Sequence, residues 1–274
     1  MIRPTGGLLM SVYPSVHPAA MLGQRPGESG NCLNLFNGPS VISGGMRTEV
    51  PEGGKRVLAF VALSSGVVER RRAAGALWPD GDEVRAAGSL RSALWRLKCA
   101  GIDLVQADKV ALRLRPGTTV DVDQLVTWSD RVMTGVPTAA DLRISRWHID
   151  FLELLPGWYE DWVIFERERL RQRLLHALEA LARLLVDHDR IAEAIEVAMI
   201  AISAEPLRES AQRVLIEAHL AEGNMVEANR AFYAFRALAL RELGVEPGNG
   251  LRSLIDQRKG RLARGYQHAL TRRH

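Results

Sequence analysis

Features that mark several other classes of protein are scarce in this sequence. It has two cysteines in 274 residues, Cys32 and Cys99, which lie far apart without neighbouring metal ligands. Such a pair argues against a disulfide scaffold or a zinc site and is typical of a reducing cytosol. No stretch approaches the ~18 consecutive apolar residues that a membrane span needs, and the N-terminus lacks the pattern of a secretory signal. We therefore expect a cytoplasmic protein without a membrane partner.

Catalytic and metal-binding motifs are also missing. None of the seven histidines belongs to a His-Glu-x-x-His motif or lies beside a plausible nucleophile. The run Gly53-Gly54-Lys55-Arg56 lacks the earlier glycine and the Ser/Thr of a phosphate loop. Asp121 and Asp123 suggest a metal pair, but we expect both to cap the helix that follows. The sequence thus predicts a non-enzymatic protein with no metal or other cofactor.

The net charge of +4 hides an uneven distribution of charge along the chain. Residues 55–115 carry twelve Lys/Arg and six Asp/Glu, whereas residues 150–250 carry eleven and eighteen. Residues 251–274 are basic again, with seven Lys/Arg and one Asp/Glu. This alternation indicates separate partners for separate regions, and a polyanion is the natural partner of the basic regions.

The first half of the chain mixes short strands and helices. Residues 1–30 are rich in Gly, Pro and Ser without a hydrophobic period, which predicts a flexible leader. Short apolar segments between residues 33 and 48 alternate with turn residues, which predicts a small antiparallel sheet. Helices are predicted at residues 55–63, at 68–77 and from the N-cap Asp82 to about residue 98. A β-hairpin around Asp108 and Lys109 ends this half at residue 117.

The second half is predicted to be almost wholly helical. The predicted helices span residues 122–133, 159–187, 191–204, 207–222, 225–243 and 250–265. Residues 187–194 resemble residues 221–228, 34 positions later, and a period of ~34 residues is typical of tetratricopeptide repeats. The sequence therefore predicts a mainly α protein with a winged helix-turn-helix at 31–117. An all-α, tetratricopeptide-like domain at 118–265 and a basic tail at 266–274 complete the prediction.

The helix after Asp82 has the pattern of a recognition helix. Two helices joined by a turn and followed by a hairpin form a winged helix-turn-helix, whose recognition helix enters the major groove of DNA. We expect one buried stripe, made of Val84, Ala87, Leu90, Leu94 and Leu97. A second stripe is polar and consists of Arg85, Ser89, Ser92 and Arg96. Its small side chains would allow close approach, while its arginines would bond guanine edges or phosphates.

Basic residues outside this helix extend the predicted DNA-binding surface. Lys109 at the hairpin tip, with Arg113 and Arg115 behind it, is placed to meet the DNA backbone or the minor groove. Three arginines at the start of the second helix would anchor phosphates, although an ordinary charged helix terminus has the same composition. Trp78 and Trp95 are expected to pack in the core. The candidate DNA-binding residues are Arg70, Arg71, Arg72, Arg85, Ser89, Arg91, Ser92, Arg96, Lys109 and Arg113.

These residues also carry a resemblance to a known family. The segments that carry it include residues 71–80 (RRAAGALWPD), 87–97 (AGSLRSALWRL), 155–163 (LPGWYEDWV) and 242–247 (ELGVEP). They resemble the Streptomyces antibiotic regulatory protein (SARP) family over about residues 33–257. The resemblance implies an OmpR-like winged helix followed by a bacterial transcriptional activator domain of the tetratricopeptide type.

The resemblance also implies a function and partners. Members of the family typically bind direct repeats at promoters and recruit RNA polymerase, often at secondary-metabolite gene clusters. The implied partners are double-stranded DNA, the RNA polymerase holoenzyme and a second copy of the chain on DNA, with the bound protein associated with the nucleoid. Gly88 and Ser89 depart from the family pattern, and a glycine inside a helix costs up to ~1 kcal/mol relative to alanine. The alternative is therefore a protein-interaction or sensing module with a weakened DNA-binding domain.

Overall fold

The computed structural model of the chain describes residues 30–64, 66–143 and 154–256. The strands are β1 (Asn31–Asn34), β2 (Ser40–Ser43), β3 (Met46–Thr48), β4 (Val68–Glu69), β5 (Val105–Ala107), β6 (Ala111–Leu114) and β7 (Thr118–Val120). The helices are α1 (Glu52–Leu63), α2 (Arg70–Leu77), α3 (Glu83–Cys99), α4 (Asp121–Met133), α5 (Asp161–Asp187), α6 (Ile191–Ala204), α7 (Glu209–Ala221) and α8 (Met225–Leu243). Residues 249–256 are also helical. This order confirms the predicted mainly α class, with small sheets and a winged helix-turn-helix preceding an all-α region.

Some predicted segments fall outside the part of the chain that the structure describes. These are the leader up to residue 29, the end of the helix predicted at 250–265 and the basic tail at 266–274. Within the described ranges, no helix combines the length and the apolar composition that a membrane crossing requires.

Two small sheets flank the first three helices. One has the order β3-β2-β1-β7, in which β7 runs parallel to β1 and the other pairs are antiparallel. The second has the order β4-β6-β5 and contains the predicted hairpin. Residues 68 and 69 were expected in a helix but form β4, because buried Val68 pairs with Leu112 of β6. Helix α2 therefore begins at Arg70.

Helices α1, α2 and α3 enclose a small core with β4 and β6. The buried side of α3 consists of Ala86, Leu90, Ala93 and Leu97. Gly54 lies where α1 crosses α3, and a Cβ at this position would lie only 2.5 Å from Leu97 Cδ2. A larger residue at this position would therefore force the buried Leu97 side chain to shift.

The helices after residue 120 pack in sequence, α4 on α5, α5 on α6, α6 on α7 and α7 on α8. Their core consists mainly of leucine and alanine. Two helices are shorter than predicted: α5 begins at Asp161 and α7 spans Glu209–Ala221. The repeat relationship between successive helix pairs stays a prediction.

One continuous apolar core joins the winged region to the helical region. Phe60 of α1 meets Trp162 of α5 edge to face, with ring centroids 5.2 Å apart. Arg56 of α1 forms an ion pair with Glu160, which precedes α5. The Arg167 guanidinium donates hydrogen bonds to three carbonyls of residues 154–158, at 2.7 to 3.0 Å. These contacts fix the start of α5 against α1.

Asp121 provides a second join between the sheet and the helices. Its Oδ2 accepts hydrogen bonds from the backbone N–H groups of Leu35 and Phe36, at 2.7 and 3.0 Å. Burial raises the pKa of Asp121 to about 7, against the opposing effect of these bonds, which favour the charged form. The expectation that Asp121 caps α4 is corrected, because the N-cap is Val120. Its Oδ2 satisfies backbone donors that follow β1, while its Oδ1 accepts a hydrogen bond from the Val122 N–H at 2.8 Å.

Candidate nucleic-acid interface

Helix α3 begins at a side-chain cap and presents one face to solvent. As predicted, Asp82 is the N-cap, and its Oδ1 accepts a hydrogen bond from the Arg85 N–H at 2.8 Å. On the side opposite the buried residues, Val84 is 77% exposed and Trp95 is 67% exposed. Gly88 lies between them along the same face, at a spacing of four and seven residues.

The buried stripe predicted for α3 is rotated relative to the observed one. Leu90 and Leu97 are buried as predicted, but Val84 was expected in the core and is exposed. Trp95 was also expected to pack in the core but is exposed. Trp78 packs against the small core of the first three helices, as predicted. The reason is that α3 contacts its neighbours through alanines at 86 and 93, whose small size permits close approach. A stripe inferred from the largest apolar side chains therefore has the wrong phase.

The predicted polar stripe of α3 lies partly on a flank of the helix. Arg85, Ser92 and Arg96 are exposed, and Ser89 is half-buried. The side chain of Arg96 reaches the start of α1. Its Nη1 lies so close to Gly53 that a Cβ on this glycine would contact it. The Arg96 side of the helix thus faces α1.

The centre of the outward face consists of other residues. Val84, Gly88 and Trp95 lie there by helical geometry, since they are opposite the buried side. Exposed Arg91 lies beside this centre on one side and exposed Ser92 on the other. Sequence reasoning missed Val84 and Trp95 as surface residues, although the spacing of Gly88 from both gave a signal.

The wing is the hairpin β5–β6, and its tip is held in place by two side chains. Asp108 Oδ1 accepts hydrogen bonds from the N–H groups of Val110 and Ala111, both at 2.8 Å, which lower the pKa of Asp108. Arg70 ties this turn to α2: its N–H donates to the Val110 carbonyl at 2.7 Å, and its Nη1 donates to the Asp108 carbonyl at 3.0 Å. Lys109 is exposed at the tip. Its backbone is therefore fixed while its side chain faces solvent.

The basic side chains of this surface differ in their partners. Arg71 forms an ion pair with Glu83 at 2.6 Å, and Arg85 lies 3.5 Å from Asp82. Arg113 donates a hydrogen bond to Gln106 at 3.1 Å. By contrast, the exposed cations Arg91, Arg96 and Lys109 form neither an ion pair nor a side-chain hydrogen bond with another described residue. These three can meet an external anion without breaking an internal contact.

Two clefts lie near the winged helix, one lined by the predicted residue Arg72 and the other by Lys98. Arg72 lines a cleft with Trp162 and Phe165 of α5, so it is separate from the outward face of α3. A cleft of about 300 Å³ lies between the C-terminal half of α3 and β5, and Lys98 lines it beside Trp95. Lys98 was not among the predicted site residues. Its position between helix and wing makes it a further candidate for a phosphate contact.

Comparison with known proteins identifies a domain and a similar fold. Residues 127–257 match the family model of the bacterial transcriptional activator domain (BTAD). The fold is similar to that of Mycobacterium tuberculosis EmbR, solved in complex with a low affinity phosphopeptide, with a TM-score of 0.65 and 19% sequence identity. This alignment covers 85% of the present chain and 66% of the EmbR chain. No curated protein matches this chain in sequence.

The chain thus carries a bacterial transcriptional activator domain behind a winged helix-turn-helix. This match supports the predicted resemblance to the SARP family, whose members carry such a domain. The similarity to EmbR, at 19% identity, concerns the fold alone. The predicted domain boundary between residues 117 and 118 stays a prediction. Strand β7, which follows that boundary, pairs with β1 of the first sheet.

Proposed function

We propose that this activator binds double-stranded DNA, with α3 in the major groove and the wing against the neighbouring backbone. The observation that supports this best is that exposed cations on α3 and the wing, including Arg91, Arg96 and Lys109, have no ion-pair partner among the described residues. A helix that contacts DNA needs such side chains, because phosphate contacts supply much of the affinity. The hydrogen bonds from Arg70 to the wing keep Lys109 at a fixed distance from α2.

The proposed roles follow from position. Arg85 and Arg91 reach base edges, since an arginine fork matches the two acceptors of guanine, and Ser92 contacts a base at close range. Arg96 and Lys109 contact phosphates on opposite sides of the reading helix. Arg70 positions the wing. The remaining candidates, which we assign weaker backbone contacts, are Arg71, Arg72, Ser89 and Arg113.

The helical region has the opposite charge balance and is proposed to contact protein. Residues 150–250 carry eleven Lys/Arg and eighteen Asp/Glu, so DNA would repel this region as a whole. We propose that it contacts the RNA polymerase holoenzyme, while two copies of the chain bind tandem half-sites side by side. A single winged helix reads few base pairs, so pairing would raise specificity. The family resemblance suggests a secondary-metabolite or other specialised gene cluster as the target.

A salt titration of DNA binding tests the first step of this proposal. The full chain is titrated onto a fluorescent duplex of random sequence at several salt concentrations. We expect the affinity to fall steeply with salt, by a log–log slope of about −0.9 for each phosphate contacted. Replacing Arg91, Arg96 and Lys109 together by alanine should lower the affinity by about 10- to 100-fold and flatten the slope.

A matched control variant separates local contacts from net charge. It replaces three exposed arginines of the helical region, Arg230, Arg241 and Arg252, by alanine. This variant has the same net charge as the first but should bind random DNA like the parent protein. Equal losses in both variants would show that α3 and the wing are not the DNA-binding surface. Absence of salt-dependent binding by the parent protein would favour the interaction-module alternative.

A further inference from the structure

The centre of the outward face of α3 is apolar, although arginines border it. Val84 is almost fully exposed in the first turn, and Trp95 is exposed near the other end of the helix. Gly88, which is half-buried, adds no side chain between them. A Cβ on Gly88 would meet only Arg91 Nη2, at 3.7 Å, which is an ordinary contact. Internal packing therefore does not require glycine here, and the effect of Gly88 is to keep the helix surface low between Val84 and Trp95.

The first turn of α3 holds Val84 in a defined position. Asp82 caps the helix, and Glu83 forms an ion pair with Arg71 of α2 at 2.6 Å. These contacts on both sides of the turn fix the backbone from which Val84 projects. The valine side chain itself has a restricted χ1 angle. Its two methyl groups are thus presented outward with little loss of entropy on binding.

The chemistry of the major groove indicates what Val84 contacts there. The base edges in this groove present mainly hydrogen-bonding groups, and the C5-methyl group of thymine is the one methyl group among them. Recognition helices contact base edges mainly through their N-terminal residues, and Val84 is the second residue of α3. The neighbouring Arg85 and the exposed Arg91, to which we assign base-edge contacts, carry charge opposite to that of the DNA around the groove.

We propose that Val84 contacts the C5-methyl group of a thymine in each half-site, and that Gly88 lets α3 lie deep enough in the groove for this contact. The inference rests on the proposed DNA binding and adds a base preference to it. Trp95 lies about 16 Å farther along the helix, at ~1.5 Å per residue, and takes no part in the contact. The half-site should therefore contain one thymine whose methyl group matters for affinity.

The test removes the methyl groups on both sides of the contact. Duplexes are first selected from a randomised library with the full chain, and each thymine is then replaced in turn by deoxyuracil. At one position, we expect the replacement to lower the affinity of the parent protein about three- to tenfold. Val84→Ala should bind the thymine duplex as weakly as the parent binds the deoxyuracil duplex. It should then lose nothing more on deoxyuracil.

The control for this test is Val226→Ala, which shortens an equally exposed valine on α8. It should keep the full sensitivity of the parent to deoxyuracil. If Val84→Ala and the parent lose the same factor at every position, Val84 does not contact a thymine methyl group. If no replacement of thymine by deoxyuracil lowers the affinity of the parent protein, the inference is also overturned, but the proposed DNA binding is not. Only a parent without salt-dependent binding to any duplex would overturn both proposals.

Gly88→Ala gives a second, independent readout. Because alanine favours the helix more than glycine and the site has room for a Cβ, the melting temperature should rise. The affinity for the selected duplex should nevertheless fall severalfold, since the added methyl group holds the helix away from the groove. A variant that gains stability and binds as tightly as the parent would show that close approach at Gly88 is not required.

Discussion

The arginines of the two regions have different partners. In the helical region they lie in ion pairs, such as Arg208–Glu179 at 2.5 Å and Arg190–Glu193 at 2.6 Å. On α3 and the wing, several exposed cations, among them Arg91, Arg96 and Lys109, have no such partner among the described residues. The number of basic residues does not explain this, because residues 55–115 carry twelve Lys/Arg and residues 150–250 carry eleven. The difference lies in the acidic partners, which number six in the first region and eighteen in the second.

This comparison shows that the same residue type serves two purposes in one chain. Paired and buried, an arginine joins helices, because its planar fork satisfies several acceptors at once. Exposed and unpaired, it remains available to a phosphate. The position of the acidic residues, rather than the net charge, therefore indicates which surface is available to DNA.

The largest effect is expected from Arg208→Ala in the helical region. The side chain of Glu179 is 5% exposed, and it accepts hydrogen bonds from Arg208 and from Ser210. Removing the guanidinium would leave a buried carboxylate without its cation, which typically costs about 3–5 kcal/mol. Urea denaturation followed by circular dichroism measures the loss. The exposed pair Arg241–Glu242 provides the control, and Arg241→Ala should cost under about 1 kcal/mol. Equal losses would contradict the distinction between buried and exposed pairs.

A smaller, pH-dependent effect is expected at Asp121, which joins the two regions. Its pKa is about 7 in the folded protein and near 3.8 in the unfolded chain, so the folded state binds the proton more tightly. This contribution to stability is present below about pH 4 and is lost as the pH rises through 7. Asp121→Asn should cost about 1–3 kcal/mol, since an amide cannot replace both acceptor oxygens.

Comparing the unfolding midpoints of parent and variant at two pH values checks this prediction. The advantage of the parent over Asp121→Asn should be larger at about pH 5 than at about pH 8, because only the parent must ionise a buried group. If the difference in stability between parent and variant does not change with pH, the pKa of Asp121 is the same in the folded and the unfolded chain.

Two arginines of α3 should differ in the kind of DNA contact that they make. Arg85→Ala should weaken binding to a selected duplex by roughly tenfold or more and relax the preference at one base pair. Arg96→Ala should weaken binding to selected and random duplexes by a similar, smaller factor, since its side chain faces the flank next to α1. Competition binding with both duplexes measures the two ratios. If Arg96→Ala changed the base preference and Arg85→Ala did not, the assignment of the two sides of α3 would be reversed.

The smallest effect is expected at the wing. Lys109→Ala should weaken binding about threefold on every sequence and reduce the salt slope by about one. Lys109→Arg keeps the charge and should bind like the parent protein. The tip should stay folded in both variants, because Asp108 and Arg70 hold its backbone without the Lys109 side chain. A base preference that changed in Lys109→Ala would indicate that the wing reads sequence.

Much of the fold could be predicted because its signals are local. Asp82 predicted the start of α3 correctly, since an N-cap depends only on the next turn of the chain. The order of helices and hairpin, and hence the winged helix-turn-helix, also followed from turns and hydrophobic periods. The bounds of α6 and α8 were predicted to the residue. The family resemblance gave the class of protein, and the match over residues 127–257 supports it.

Other features depend on residues that are distant in sequence. Residues 68 and 69 join a sheet because Leu112 of β6 pairs with Val68, which no local helical pattern reveals. Asp121 bonds to the N–H of Leu35, 86 positions earlier, so its neighbours in sequence pointed only to a cap.

The sequence by itself determined that α3 exists, where it begins and that it carries both apolar and basic residues. Only the tertiary structure decided which face of α3 is outward. Packing against Gly54 and through small alanines turned Val84 and Trp95 to the surface, against their hydrophobicity. The physical reason is that burial depends on the shape of the neighbouring helix, whereas a helical period specifies only which residues share a face.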